Sequence, residues 1–592
     1  MVSEYRLAMD SLQPIEPADP VVAIEPVLFS AKSVSTWADA NPRHRNWPVV
    51  YTINNARQVY VGESGNAAHR MRQHLANPEK SGLKHVRIVL DDTFNKSVCL
   101  DLESFLIRMF SGDGKLEVLN RCDGIVDADY YRRADYQARF AEVFEQLRNE
   151  GLFDRRIPEI ENSDLFKLSP FKALNTDQEI AIEDVLEGLF ADIERGDTST
   201  AVVQGAPGTG KTIVAIYLIK LLCDIRDRAL ADEPDAESIF DQFFTEGYPE
   251  LLASARIGFV VPQQSLRASV KKVFKKTPGL TESMVVTPFD AAKDPEPYDL
   301  LVVDETHRLT QYASQAMGTL TRDFRIYSKA LAREGEDWQD LTQIDWILRR
   351  SKHQVFLLDA AQGVRPSDVP AAALDALTVR GRTYRLRSQM RVKGGTEYID
   401  YVREVLGDSP PASPVHIENY DLRFFDDAAE MYREIRARDA EVGLSRLLAG
   451  YAWEWKSNKG GSGVNDVVVG DLALPWNRTN KDWINSPTSL DEVGSIHTTQ
   501  GYDLNYAGVI IGADLKWDEA KRAVVFDRSN YFDARGKANN GLRGVEYTDG
   551  DLRELVRNIY VVLLTRGIRG TYVYVCDPGL RERLRPYFDM AG

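Results

Sequence analysis

TAVVQGAPGTGKTIVAIYLIKLL, Thr200–Leu222, is the stretch that decides the fold. Ala201-Val202-Val203 is a short, unbroken apolar run, the composition of a parallel strand covered on both faces. Gly205, Gly208 and Gly210 then let the backbone curl, and an apolar helix opens at Lys211. Strand, glycine loop and helix in that order spell a doubly wound α/β unit. The rhythm recurs in both directions: RIGFVVP (256–262), DLLVVDE (299–305), QVFLLDA (354–360), GVIIG (508–512) and TYVYVCD (571–577). The count predicts two such units, 175–380 and 381–592. Segments 224–255, 310–350 and 408–490 interrupt the rhythm and read as insertions, the last of them in the second unit.

The glycine loop has the form GxxxxGK[ST], with a strand before it and a helix after it. Backbone N–H groups of such a loop face phosphates at the helix N-terminus. Lys211 is placed for the β- and γ-phosphates, and Thr212 for Mg²⁺. Ninety-three residues beyond Lys211, Leu300-Leu301-Val302-Val303-Asp304-Glu305 brings two carboxylates to the end of a buried strand. Asp304 is expected to hold the metal and Glu305 to polarise the attacking water. The expected cofactors are ATP and Mg²⁺.

Many ATPases share those two motifs, so the others must discriminate. Taken in order, they resemble the superfamily 1 helicase series, most closely the viral-DNA-helicase-like family related to the helicase part of Schlafen proteins. The resemblance spans about residues 175–580. Asn175-Thr176-Asp177-Gln178 matches the family's adenine-reading segment, which implies that Gln178 binds the base. Val260-Val261-Pro262-Gln263-Gln264-Ser265-Leu266 matches a segment touching a single strand. Phe356–Gln362 matches the third motif, with Gln362 as γ-phosphate sensor. Tyr384–Arg391 and Ile559–Gly567 supply two arginine fingers, Arg391 and Arg566, and Gly494–Asp503 fills the fifth motif. Two departures stand: the second motif ends Thr306-His307, and the third reads Leu358-Asp359 where Gly-Asp is common.

Residues 47–133 read as a separate small α/β module. VVYTI (49–53) and QVYVG (58–62) flank a polar NNAR, the pattern of a β-hairpin; helix, strand and helix follow. Val50-Tyr51-Thr52 and Tyr60-Val61-Gly62 resemble the halves of the GIY-YIG nuclease signature, with Val49 in the first glycine's place and only eight residues between the tyrosines. The resemblance implies Arg70 bracing a phosphate, Tyr51 and His74 helping to deprotonate water, Tyr60 positioning, Glu103 binding Mg²⁺ or Mn²⁺, and Asn120 bracing the site. A cation, a positive group and a proton acceptor are what phosphodiester cleavage requires. Residues 1–46, rich in proline, read as an extended arm, and 134–174 as a helical connector.

Net charge is −16, which weighs against nucleic acid when taken for the whole chain. Basic character is local, however: 43–133 holds 14 Lys and Arg against 11 Asp and Glu. Four scattered cysteines without a CxxC pair argue against a zinc ribbon or a disulfide framework. No leader or membrane span is legible, so a cytoplasmic protein is expected. The expectation is an ATP-dependent helicase or translocase coupled to a metal-dependent endonuclease, acting on nucleic acid with DNA ahead of RNA, in a setting of restriction, anti-phage defence or repair. Two alternatives stay open: an ATP-gated sensor that licenses the nuclease, and a remodeller whose N-terminal module only binds.

Overall fold

The computed structural model describes residues 22–120, 129–227, 239–315, 317–359, 363–389, 392–457, 463–479, 482–499 and 502–590. They fall into two compact units, one running to Ile160 and the other beginning at Glu161. None of the described helices is long and apolar enough to cross a membrane.

The first unit is a five-stranded sheet in the order β1-β4-β2-β3-β5, built from β1 (Ala23–Leu28), β2 (Val49–Asn54), β3 (Gln58–Ser64), β4 (His85–Leu90) and β5 (Glu117–Val118). The predicted hairpin is present, with Tyr51 opposite Gly62 and Ile53 opposite Tyr60. Helices α1 (Ala31–Ala40) and α2 (Ala67–Ala76) bury Val34, Ala67 and Met71 in one core with Val49, Tyr51 and Ile53. The helix α3 (Lys96–Asp113) packs along β2 and β3.

Two boundaries expected from sequence need correction here. Residues 23–40 are not an extended arm: β1 pairs antiparallel with β4 over six residues, Ala23 opposite Leu90 through Leu28 opposite His85. The prolines concealed this, since an edge strand tolerates Pro26 without losing a needed donor. Nor is 134–160 a connector. The helix α4 (Arg133–Asn149) joins the first unit through Phe105–Phe140 and Phe144–Phe153 ring contacts and an ion pair from Arg139 to the buried Asp91.

The second unit holds two wholly parallel six-stranded sheets. The first runs β11-β6-β10-β9-β7-β8, from β6 (Ser199–Gly205), β7 (Ile257–Val260), β8 (Val285–Val286), β9 (Tyr298–Val303), β10 (Ser351–Leu358) and β11 (Arg382–Leu386). β11 pairs with β6, so the first sheet extends past the expected limit at 380. Its outward-facing arginines had masked it; Arg382 pairs with the buried Asp192.

The second sheet contains β12 (Asp421–Phe424), β13 (Ser445–Ala449), β16 (Val493–Gly494), β17 (Leu504–Ile511), β20 (Gly567–Val575) and β21 (Asp589–Met590). Their order is β16-β13-β17-β20-β12-β21. The supposed insertion 408–490 therefore contributes two strands of the second sheet, β12 and β13, with the helix Ala428–Val442 between them; β12 was missed because Asp421-Leu422-Arg423-Phe424 alternates instead of running apolar. The hairpin of β14 (Val467–Val469) and β15 (Leu472–Leu474) lies off the sheet within that stretch. A second hairpin, β18 (Leu515–Asp518) with β19 (Ala523–Phe526), follows β17.

Candidate active sites

β6 delivers the loop 205–210, where Gly208 and Gly210 have φ of +83° and +79°. That left-handed backbone is open to glycine at little cost. Lys211 opens the helix Lys211–Arg226, and its ammonium donates to Gly205 O at 2.7 Å and Ala206 O at 2.9 Å. The Asp359 carboxylate, at the end of β10, lies 3.7 Å away. From the end of β9, Asp304 Oδ2 accepts from Thr212 Oγ1 at 2.7 Å. The two motifs thus meet in space across β10, because parallel strands of one sheet present their C-terminal ends on the same side.

Burial, and then the neighbouring Glu305 carboxylate, push the Asp304 carboxyl upward. Burial would raise Glu305 as well, but the combined pull of His307, Lys211 and Arg566 holds its carboxyl below the usual value. His307 is wholly buried, with Nε2 2.9 Å from Glu305 Oε2. Glu305 is itself in the left-handed region, φ +47°, a strained backbone for a residue with a Cβ. Two oxygen donors, Thr212 and Asp304, suit a divalent cation that takes its other ligands from phosphates and water.

Arg566 follows the helix Asp549–Leu564 of the second sheet and is 2 % exposed. Its Nε donates to Val562 O and its Nη1 to Tyr502 O. Since its charge is felt at Glu305, the second sheet contributes to the first sheet's site. Gln178 is held differently from the expected base reader. It is the third residue of the helix Thr176–Arg195, where its Oε1 accepts from Asn175 N and its Nε2 donates to Thr209 O at 3.0 Å. There it braces the loop. Gln362 and Arg391 lie outside the described residues. Sequence reasoning passed over Gln389, whose Nε2 donates to Pro207 O, and also Asp359 and His307. The Thr-His departure was the one available signal for the last.

Between the sheets of the second unit lies a cavity of about 820 Å³. Pro262, Gln263 and Ser265 line it from the first sheet. The opposite wall was not foreseen: Tyr451, Trp453, Trp455 and Phe532. Phe532 is 43 % exposed. Arg308 and Arg365 also line the cavity but are engaged, Arg308 with Asp368 and Arg365 with His497 and Asp533.

In the first unit Tyr51, Tyr60 and His74 come together. Tyr51 Oη is 2.7 Å from His74 Nε2, and the Tyr60 and His74 rings meet edge to face. Lys80 Nζ lies 2.9 Å from His74 Nδ1 and over the Tyr60 ring. An ammonium can only donate, so Nδ1 accepts and the Nε2 proton points to the Tyr51 oxygen. Nothing in the sequence marked Lys80. Arg70, one turn before His74 on α2, is 8 % exposed. Asn120 grips β3, with Oδ1 accepting from Val61 N and Nδ2 donating to Val61 O. Glu103 is on α3, one turn beyond Cys99, whose thiol is pushed up by burial and then by Glu63 and Glu103.

Residues 198–577 match the family model described as Schlafen group 3, DNA/RNA helicase domain. The chain belongs to the Schlafen group 3 helicase family. An uncharacterized protein of Saccharomyces cerevisiae, YPL245W, is 26 % identical over 411 residues, covering 65 % of this chain and 83 % of that protein. Among solved structures, the arterivirus nonstructural protein 10 helicase in complex with DNA aligns at 13 % identity and a TM-score of 0.28, over 68 % of this chain and 66 % of that one. At that score the structural likeness carries no argument. The Schlafen group 3 match covers both parallel sheets except the edge strand β21, and leaves the N-terminal unit to its own residues.

Proposed function

We propose that this Schlafen group 3 chain is an ATP-driven nucleic-acid motor of two RecA-like domains joined to a GIY-YIG-type, metal-dependent endonuclease. The observation that supports the motor best is the meeting of Thr212 Oγ1 with Asp304 Oδ2 at 2.7 Å beside the Lys211 loop, with Arg566 of the second sheet buried close by. Bound Mg²⁺–ATP would supply the phosphoanhydride and the charge neutralisation. Lys211 binds the β- and γ-phosphates on leaving its loop carbonyls, Thr212 and Asp304 hold the cation, and Glu305 orients water. Arg566 meets the developing charge only when the sheets are together, so hydrolysis follows closure, and reopening moves a strand. The aromatic wall of Trp453, Trp455 and Phe532 is suited to stacked bases, which every sequence provides.

In the N-terminal unit Glu103 would hold the nuclease metal and Arg70 the scissile phosphate. The Lys80–His74–Tyr51 chain presents a hydrogen-bond donor to the Tyr51 oxygen, which would stabilise the phenolate, the form of Tyr51 able to take a proton from water. One observation supports a second reading, a module that binds without cutting: Tyr51 and His74 are both fully buried. By analogy with other motor–nuclease fusions, DNA restriction, anti-phage defence or repair is the inferred setting. The deciding experiment offers single-stranded, duplex and forked DNA and RNA, each with and without ATP and Mg²⁺. Strand-stimulated ATP hydrolysis with metal-dependent cutting supports the proposal. Stimulation without cutting leaves the binding module, and indifference to every polynucleotide overturns the motor.

A further inference from the structure

The segment 528–548, between β19 and the helix Asp549–Leu564, is a self-stapled hook. Arg528 donates to Tyr547 O, Lys537 to Arg528 O, and Asn540 and Val545 exchange backbone hydrogen bonds. Tyr531 roots it, 1 % exposed in the core of the second sheet. Its far side is bonded to the first sheet's half of the unit. Asn540 Nδ2 donates to Tyr312 O at 2.9 Å, Tyr547 Oη to Pro366 O at 2.9 Å, and Arg543 pairs with Asp340 at 2.5 Å. A second set of bridges joins the halves elsewhere: Tyr502 Oη to Ser265 O at 3.2 Å and to Ser269 Oγ at 2.8 Å, and Lys272 to Asp482 at 2.6 Å.

Asn540 and Ser265, each at one of these bridges, both line the cleft. Phe532, Asp533 and Ala538 of the hook line it too. We propose that the hook closes the cleft around its strand, so that nucleic acid enters by a free end and internal loading requires the hook to let go. A bond of 2.9 Å leaves no passage for a polymer backbone between Asn540 and Tyr312. The proposal rests on the cleft being the nucleic-acid seat. Its closure consists of side-chain hydrogen bonds and two ion pairs, Arg543–Asp340 and Arg365–Asp533, contacts of small individual worth. The hook is thus a latch that a few substitutions can open, whereas the wall it completes is rooted by Tyr531.

The test compares linear and covalently closed circular single-stranded DNA of equal length and sequence, following association rate and stimulation of ATP hydrolysis by the full chain. Linear strand is expected to associate roughly tenfold faster than the circle, or better, a difference of ~1.4 kcal/mol. Arg543→Asp combined with Tyr547→Phe and Asn540→Ala, which removes the bond to Tyr312 as well, should bring the circle level with the linear strand in a chain whose melt shows it folded. Adding Asp340→Arg, which restores the ion pair with its sense reversed, should bring discrimination back. Equal association of circle and linear strand with the wild-type chain overturns the hook while sparing the nucleic-acid reading. Full discrimination persisting in the Arg543→Asp, Tyr547→Phe, Asn540→Ala chain likewise overturns it. Failure of both strands to bind sinks the nucleic-acid reading itself.

Discussion

Nε2 of the fully buried His307 lies 2.9 Å from Oε2 of Glu305, the carboxylate that the proposed mechanism assigns to water. His307→Ala should lower ATP turnover by about 10² without weakening nucleotide binding, because the loop and Thr212 are untouched. Steady-state turnover beside ADP affinity makes the measurement. Wild-type turnover in the variant removes His307 from the reaction.

Lys211→Ala should abolish hydrolysis. Arg566→Lys, which keeps charge but loses the fork, should cut kcat by about 10³ with nucleotide affinity preserved. Because Arg566 also bonds Val562 O and Tyr502 O, a thermal melt must accompany the kinetics. An equal loss in affinity and turnover makes Arg566 a binding residue.

Glu103→Ala should eliminate nucleic-acid cleavage while ATP turnover stays at the wild-type level. Chelator should stop cutting by the wild type in the absence of nucleotide. Cleavage that survives in the Glu103→Ala chain places the nuclease elsewhere.

A Cβ at residue 62 would stand 2.3 Å from Tyr51 Oη, directly across the hairpin. Gly62→Ala should therefore destabilise the N-terminal unit by about 1–3 kcal/mol, and should displace Tyr51 from His74. Denaturant unfolding of the variant checks the first. Loss of any cutting activity beyond the loss of folded protein checks the second.

Asp514, beside the Tyr560 hydroxyl at 2.6 Å, is fully buried, and burial lifts its carboxyl to about 7. The folded value exceeds the unfolded one. Its contribution is thus complete below pH ~4 and declines as pH rises toward 7, by at most about 1.4 kcal/mol per unit. Asp514→Asn should flatten that decline, so the variant gains on wild type between pH 5 and pH 8. Parallel melts at the two pH values decide it, and identical slopes refute the assignment.

Elements with a periodic or unbroken apolar pattern were legible: β6, β9, β10, β17 and β20, together with the hairpin of β2 and β3. So were the loop at 205–212 and the acid pair at 304–305, because glycine, lysine and strand-end carboxylates announce their geometry locally. What stayed hidden depends on partners far away in sequence. β1 carries a proline and finds β4 some 60 residues on. β12 needs β20 beside it to count as core. Lys80 and Trp453 are unremarkable until folding sets them against His74 and the cleft.

β11 carries one last consequence. It closes the edge of the first sheet at Leu386, and within three residues Gln389 is already bonded to Pro207 of the nucleotide loop. From there the chain passes to the second sheet. That covalent crossing therefore sits beside the loop, as a fulcrum sits at one end of a lever. A small swing at the phosphate end becomes a larger excursion at the far side of the cleft, where the strand would ride.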